Sequence, residues 1–286
     1  ALCDYGNHPF EFVRKIIRNV DLFVAFSDGK GNDGLDNLCM DNLRRLSGAG
    51  FSLHFVLLLS AANLPKTLFE HFLKQLECFL FYYIYTKTPT KELERNFSVW
   101  ADELREIAAM TNPIEQKKKL NEFLEKRFVS SVTDKQDQLV DDLKRYTLHS
   151  MQQYRTRYLL SKLTQYVDMA YKGVKNPGSL KGYFDLEIEH ILPATPEASL
   201  RADFSLKNPD KEYDTYKQRL GNLTLLEKPI NIVASNDYYG KKCEEYKKCM
   251  HYLTKSIAEL TIVGNNSSIN RVNAKLLSFT DWSVAT

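Results

Sequence analysis

The chemistry-bearing residues of this chain gather between Asp185 and Tyr246. In order they are Glu189-His190-Ile191-Leu192-Pro193, Leu220-Gly221-Asn222-Leu223-Thr224-Leu225-Leu226, Asn231, Ser235-Asn236, Lys241 and Tyr246. A His at a strand end and an Asn on the following strand supply half of a small metal site. An amide or imidazole on the next helix completes it. One divalent cation in such a set can hydrolyse a phosphodiester. That bond resists water because its anionic oxygens repel nucleophiles and its alkoxide leaves poorly. Hydrolysis therefore needs a base, a cation and a holder for the cation. Imidazole, with a pKa of about 6.5, is mostly neutral at pH 7 and suits the first task. Oxygen donors such as Glu and Asn suit magnesium, which also keeps several waters and takes phosphate oxygens.

The elements that must position these groups are legible in the apolar pattern. Phe184, Leu186, Ile188 and Leu192 alternate with Asp185, Glu187, Glu189 and Ile191, which predicts a strand. Glu189 and His190 then point to opposite faces, and both serve one site only if the strand bends. Leu223 and Leu225 alternate with Asn222 and Thr224, predicting a second strand entered through Gly221, with Pro193 and Pro229 at the two strand exits. Tyr239, Cys243, Tyr246, Met250, Leu253, Ile257 and Leu260 recur at three and four residues. They predict one long helix capped by Ser235 or Asn236. The order is strand, loop, strand, helix.

Residues 8 to about 180 read instead as amphipathic helices. Phe69, Phe72, Leu76, Phe79 or Leu80, and Tyr83 form one stripe; Leu93, Phe97, Trp100, Leu104 and Ile107 form the next. Leu120, Phe123 or Leu124, and Phe128 make a shorter one. Leu159, Leu163, Tyr166 and Ala170 mark a helix from about Met151 to Tyr171. All are core stripes on this reading. The glycines of 27–34 lack the Lys-Ser/Thr of a phosphate loop and the terminal Glu of a calcium loop, so a surface loop is expected there. The turn-rich stretch from Lys172 to Gly182 is the expected boundary between a helical domain, 1–180, and a second domain, 181–286.

Hydrophobic content of 43% and charged content of 26% sit near globular averages, which excludes disorder and fibres. A net charge of +3 permits a nucleic-acid partner without arguing for one. The five cysteines (Cys3, Cys39, Cys78, Cys243, Cys249) are scattered, with no C-x-x-C pair, which points to a reducing, cytoplasmic setting. The apolar stretches Phe51 to Leu64 and Cys78 to Tyr85 are too short to span a bilayer, so no membrane is expected. Beginning at Ala1 rather than Met, the chain reads as part of something longer.

Glu-His-Ile-Leu-Pro followed by Leu-Gly-Asn-Leu-Thr-Leu-Leu, Asn, Ser-Asn and Lys resembles the His-Me finger (HNH-type) nuclease domain of GmrSD-type, modification-dependent restriction enzymes. Phosphorothioate-sensing phage-defence nucleases carry a similar domain. The motif covers roughly residues 184 to 250, and Ile269-Asn270-Arg271, Leu277 and Trp282 resemble the family's terminal helix. The segment Leu76 to Ile107 is similar to the helical region that precedes the nuclease. The resemblance implies an α+β chain: a mostly helical amino-terminal domain, then a ββα-metal nuclease domain with carboxy-terminal helices. It implies magnesium- or manganese-dependent DNA cleavage in phage defence. It also implies a partner, an amino-terminal nucleotide-hydrolysing or modification-sensing domain or subunit.

Residue by residue, His190 resembles the general base and Asn222 the residue that steadies it. Asn231, on the turn opened by Pro229, resembles the metal-holding third position. Glu189 stands where an acidic metal ligand is usual, with Glu187 as a substitute. Asn236 and Lys241 match positions expected to be structural and phosphate-contacting, Lys242 standing beside the latter. Plainer readings stay open: packing for His190, a satisfied turn for Asn222, helix caps for Asn231 and Asn236, a surface ion pair for Glu189, and a solvated face for Lys241 and Lys242.

Residues 181–250 hold 11 Lys or Arg against 12 Asp or Glu, so this segment alone is no strong polyanion binder. Residues 141–180 hold seven basic and three acidic side chains. Arg155, Arg157 and Lys162, interleaved with Tyr154 and Tyr158, could grip a duplex, or form an ordinary solvated face. The rival class for the whole chain is a catalytically silent nuclease-like scaffold, an interaction module with the helical part as its working surface.

Overall fold

A computed structural model of the chain describes residues 8–262 and 267–282, the side chain of Ser267 excepted; Cys3 lies outside the described residues. The chain divides into two compact units, 1–142 and 143–286. The turn-rich stretch 172–182 falls inside the second.

The first unit is helical: α1 (Pro9–Ser27), α2 (Leu38–Ser47), α3 (Phe55–Ala61), α4 (Lys66–Tyr85), α5 (Thr90–Ala108), α6 (Pro113–Leu124), α7 (Ser130–Thr133) and the start of α8 (Gln136–Arg145). A π-helical turn, Glu125–Val129, joins α6 to α7. The stripes on α4 and α5 are buried as their periodicity requires. They meet around Phe79, whose ring lies 4.8 Å from that of Phe128 and 5.6 Å from Trp100. Pro113 opens α6 while Asn112 caps it, its side chain accepting from Ile114 N and Glu115 N. The Gly-rich segment 27–34 is a loop closed by a Lys30–Asp36 bridge and ended by Asn37, which caps α2.

The second unit holds α9 (Gln153–Lys172), α10 (Lys181–Phe184), β1 (Glu187–His190), α11 (Ala198–Lys207), α12 (Tyr213–Tyr216), β2 (Leu223–Leu226), α13 (Lys228–Ala234), α14 (Tyr239–Tyr246), α15 (Tyr252–Ala258) and α16 (Ser267–Asn273). β1 and β2 form an antiparallel pair with Glu189 opposite Thr224 and His190 opposite Leu223. The fold is thus helix-rich, with a two-stranded sheet among the described residues.

The pleat divides the hairpin's side chains. Leu223, Leu225 and Ile188 pack with Leu160 and Leu186 on one side. Leu226 packs with Ile191, Tyr239 and Tyr246 on the other. Thr254 ties α15 to β2, donating to Leu225 O at 2.6 Å and meeting Thr224 Oγ1 at 2.6 Å. Asp168 of α9 holds the start of α15, accepting from Tyr252 N at 2.8 Å and facing His251 Nδ1 at 2.7 Å. Gly173, with φ +65°, ends α9 in the left-handed conformation that suits glycine.

Three expectations are corrected. Leu163 and Tyr166 are exposed, whereas Thr156, Ser161, Thr164, Gln165 and Asp168 of the same helix are buried. An apolar stripe cannot reveal the polar part of a buried face, where Thr156, Thr164, Gln165 and Asp168 find hydrogen-bond partners. The long helix expected from Ser235 or Asn236 to Leu260 is two helices, α14 and α15, with α14 entered from Tyr238 without a side-chain cap. Pro229 stands in the first turn of α13 rather than only closing a strand, since its fixed φ and missing N–H cost nothing there.

Candidate active site

His190 ends β1, and the chain leaves the sheet toward Pro193. Its imidazole is half-buried. Burial lowers its pKa below the usual histidine value, while Glu189 and Gln218 push it upward. The ring is therefore neutral at pH 7, the state a base requires. Nε2 is closed off from solvent and, among the described residues, has no hydrogen-bond partner.

β1 ends at His190 and the chain bends at Ile191 and Leu192, so the strand's alternation stops at this pair. Glu189 turns toward α14, where Oε1 accepts from Lys242 Nζ at 2.7 Å and from Tyr246 OH at 2.8 Å. Lys242 Nζ also donates to His190 O at 2.6 Å. One ammonium thus binds both the acid and the main chain of the strand end. Among the described residues no group bonds Oε2 of Glu189. Glu187 lies on the same face and is half-buried.

Asn222 precedes β2, in a 3-10 turn spanning Leu220–Asn222. Its amide is committed to the loop that follows His190. Oδ1 accepts from Leu192 N at 2.6 Å and Trp282 Nε1 at 3.0 Å; Nδ2 donates to Leu192 O at 3.0 Å and Lys217 O at 2.9 Å. Ile191 N adds a bond to Asn222 O at 3.0 Å. Asn222 steadies the histidine's chain, not its ring.

Asn231 lies on α13, which packs against both β1 and α14. It is half-buried, and its side-chain amide bonds no described residue. Asn236 is exposed. Lys241 is exposed and pairs with Asp237 at 3.1 Å, while its neighbour Lys242 is the inward cation, 1% exposed. Arg157 donates to the carbonyl oxygens of Phe184 and Leu186, bracing the approach to β1. Arg155 lies 5.5 Å from the Tyr154 ring. Tyr158 is buried and offers no stacking surface. Gln218, on which the sequence pattern is silent, brings a buried amide oxygen to the neighbourhood of His190. Only its place in the turn before Asn222 could have signalled it.

Among the described residues no three or more His, Cys, Asp and Glu side chains cluster as a metal cage. The oxygens left unbonded, Glu189 Oε2 and the Asn231 amide, fit a different chemistry. A hard cation held by one or two protein oxygens keeps waters and recruits substrate phosphate. The Lys242 ammonium beside Glu189 weakens that hold by partly neutralising the carboxylate. Hydrogen bonds that orient a ligating carboxylate from behind are nonetheless the usual support of such a ligand.

Among the described residues no helix is long and apolar enough to cross a membrane. No curated protein and no solved structure matches the chain. Residues 133–283, just over half of it, match the family described as GmrSD restriction endonucleases, C-terminal domain. By that match, which takes in the whole strand-end histidine site, the chain belongs to the GmrSD restriction endonucleases.

Proposed function

We propose that this chain is a metal-dependent DNA endonuclease, the effector part of a phage-defence protein, with a ββα-metal (HNH-type) site in residues 181–286. The observation that carries this reading is the neutral, half-buried His190 at the exit of β1, with unbonded oxygens on Glu189 and Asn231 nearby in the fold. His190 takes a proton from the attacking water. Asn222 holds the loop after it, and Lys242 its carbonyl. Glu189 and Asn231 would hold a magnesium or manganese ion. Such an ion, when bound, supplies positive charge against the developing phosphorane and the leaving 3′ oxygen.

Target choice belongs on this reading to an amino-terminal sensing domain or subunit, because the nuclease segment's cations are balanced by its acids and leave no net positive charge for gripping DNA. Plasmid nicking by the purified chain with magnesium or manganese tests the proposal. His190→Ala should lower the rate by about 100- to 10,000-fold, with its circular dichroism and melting transition retained. A folded His190→Ala protein that nicks at the normal rate removes His190 from the mechanism. A wild-type chain inert with either metal favours the silent scaffold.

A further inference from the structure

Among the described residues, His190 Nε2 and Gln218 Oε1 of the second unit are buried without a hydrogen-bond partner. They come from neighbouring places in the fold. His190 is the last residue of β1, and Gln218 lies in the turn that leads through Leu220–Asn222 into β2, the partner strand. Asn222 ties the two segments together: its amide bonds Leu192 N and O on one side and Lys217 O on the other, and its own carbonyl accepts from Ile191 N, so that residues flanking His190 and Gln218 meet on one side chain. The polar groups nearest the strand end are committed elsewhere. Asn222 spends its amide on Leu192, Lys217 and Trp282, and Lys242 reaches the main-chain oxygen of His190, not the ring.

The turn carrying Gln218 is itself tied down. Gln218 O accepts from Leu148 N at 2.8 Å, Lys217 O accepts from Asn222 Nδ2 at 2.9 Å, and Arg219 bridges to Thr147. An amide on so fixed a corner is suited to aiming a neighbour. Neutral imidazole has one N–H and one lone pair, and the partner of one nitrogen decides what the other offers. Gln218 Oε1 can only accept. Facing it, Nε2 must carry the proton, and Nδ1 keeps the lone pair.

We propose that Gln218 is the positioning residue of His190, its Oε1 accepting from Nε2–H so that Nδ1 is the basic nitrogen. The water's proton goes to Nδ1, and the resulting imidazolium keeps its Nε2–H on Gln218 in a charge-assisted bond. The inference rests on the reading of His190 as base, but its primary test does not require catalysis.

That test is nitrogen-15 NMR of the metal-free full chain, with the His190 ring assigned by comparison with His190→Asn. The wild type should show neutral His190 as the Nε2–H tautomer. Gln218→Leu, which removes the acceptor, should shift it toward a mixture, and Gln218→Glu, which retains one, should restore it. In nicking assays Gln218→Leu should lose about 10- to 100-fold in kcat with little change in KM, and Gln218→Glu should regain part of that loss. An Nδ1–H tautomer in the wild type overturns the proposal, as does a tautomer ratio unmoved in Gln218→Leu. If Gln218→Leu fails to fold, the wild-type tautomer and the Gln218→Glu spectrum still decide it. A normally nicking His190→Ala chain would instead refute the base assignment, leaving the tautomer result standing.

Discussion

Lys242 Nζ lies 2.7 Å from Glu189 Oε1, joining α14 to the penultimate residue of β1, with side chains 1% and 7% exposed. Burial draws the lysine's pKa down, and the glutamate opposes that shift. Two charges are taken from water here only because further bonds meet them: Tyr246 OH on the carboxylate and His190 O on the ammonium. Such a pair adds little net stability over an apolar one, yet breaking it strands a naked charge. Its value lies in geometry, since it fixes the end of β1 where the candidate base stands.

Lys242→Met should therefore destabilise the second unit by about 3–5 kcal/mol, with Glu189→Gln costing less because its amide still accepts from Tyr246. The double variant Lys242→Met/Glu189→Leu should cost clearly less than the sum of Lys242→Met and Glu189→Leu measured singly. Urea denaturation of these proteins measures this. Additive effects would show that the two side chains do not share one closed pair.

The helical stripes are readable because α4 and α5 bury only one apolar face each, so period and burial coincide. The strand pair is readable for the same reason, and the Glu-His and Gly-Asn junctions locate its ends. What stays hidden in the sequence is polar. Lys241 and Lys242 are adjacent, and nothing local marks the second as the buried one; that depends on which face of α14 meets Glu189. Asn222 reads as a partner for the imidazole, but its four amide bonds close the loop at Leu192 instead. Gln218 carries no motif, and only the fold of the turn brings it near His190.

Cation binding should be weak in the absence of DNA, because Glu189 is partly neutralised by Lys242 and Asn231 is an uncharged donor. Calorimetric titration with manganese should show affinity rising when a cleavage-dead His190→Ala chain is first loaded with duplex. Asn231→Ala should lower the loaded affinity by about 10-fold or more. Unchanged affinity in both Asn231→Ala and Glu189→Gln would move the site, with Glu187 and Asn236 the next donors.

Asn222→Ala should cost more than its size suggests. It strips partners from Leu192 N, Leu192 O and Lys217 O, and each buried group left unmet costs about 1–3 kcal/mol. Trp282→Phe removes one bond to Oδ1 and should cost about 1 kcal/mol. Thermal denaturation ranks the two, and a Trp282→Phe loss equal to that of Asn222→Ala would mean the indole, not the amide, closes the loop.

In the first unit, His54 gives stability a specific acid limb. Its ring lies 5.5 Å from Phe51 and 4.7 Å from Phe55, its Nδ1 has no partner among the described residues, and burial pushes its pKa down from 6.5 to about 4. The unfolded chain binds this proton more readily than the folded one. Stability is therefore full above pH 6.5 and falls as pH drops through the window from 6.5 to 4, by about 3 kcal/mol in all. His54→Phe, which keeps a ring between Phe51 and Phe55 and cannot titrate, should flatten this limb. The measurement is urea unfolding at about pH 7.5, 6, 5 and 4, spanning that window, in a Trp282→Phe background where Trp100 alone reports on the first unit. Equal loss of stability on acidification with and without His54→Phe would place the acid sensitivity elsewhere in the unit.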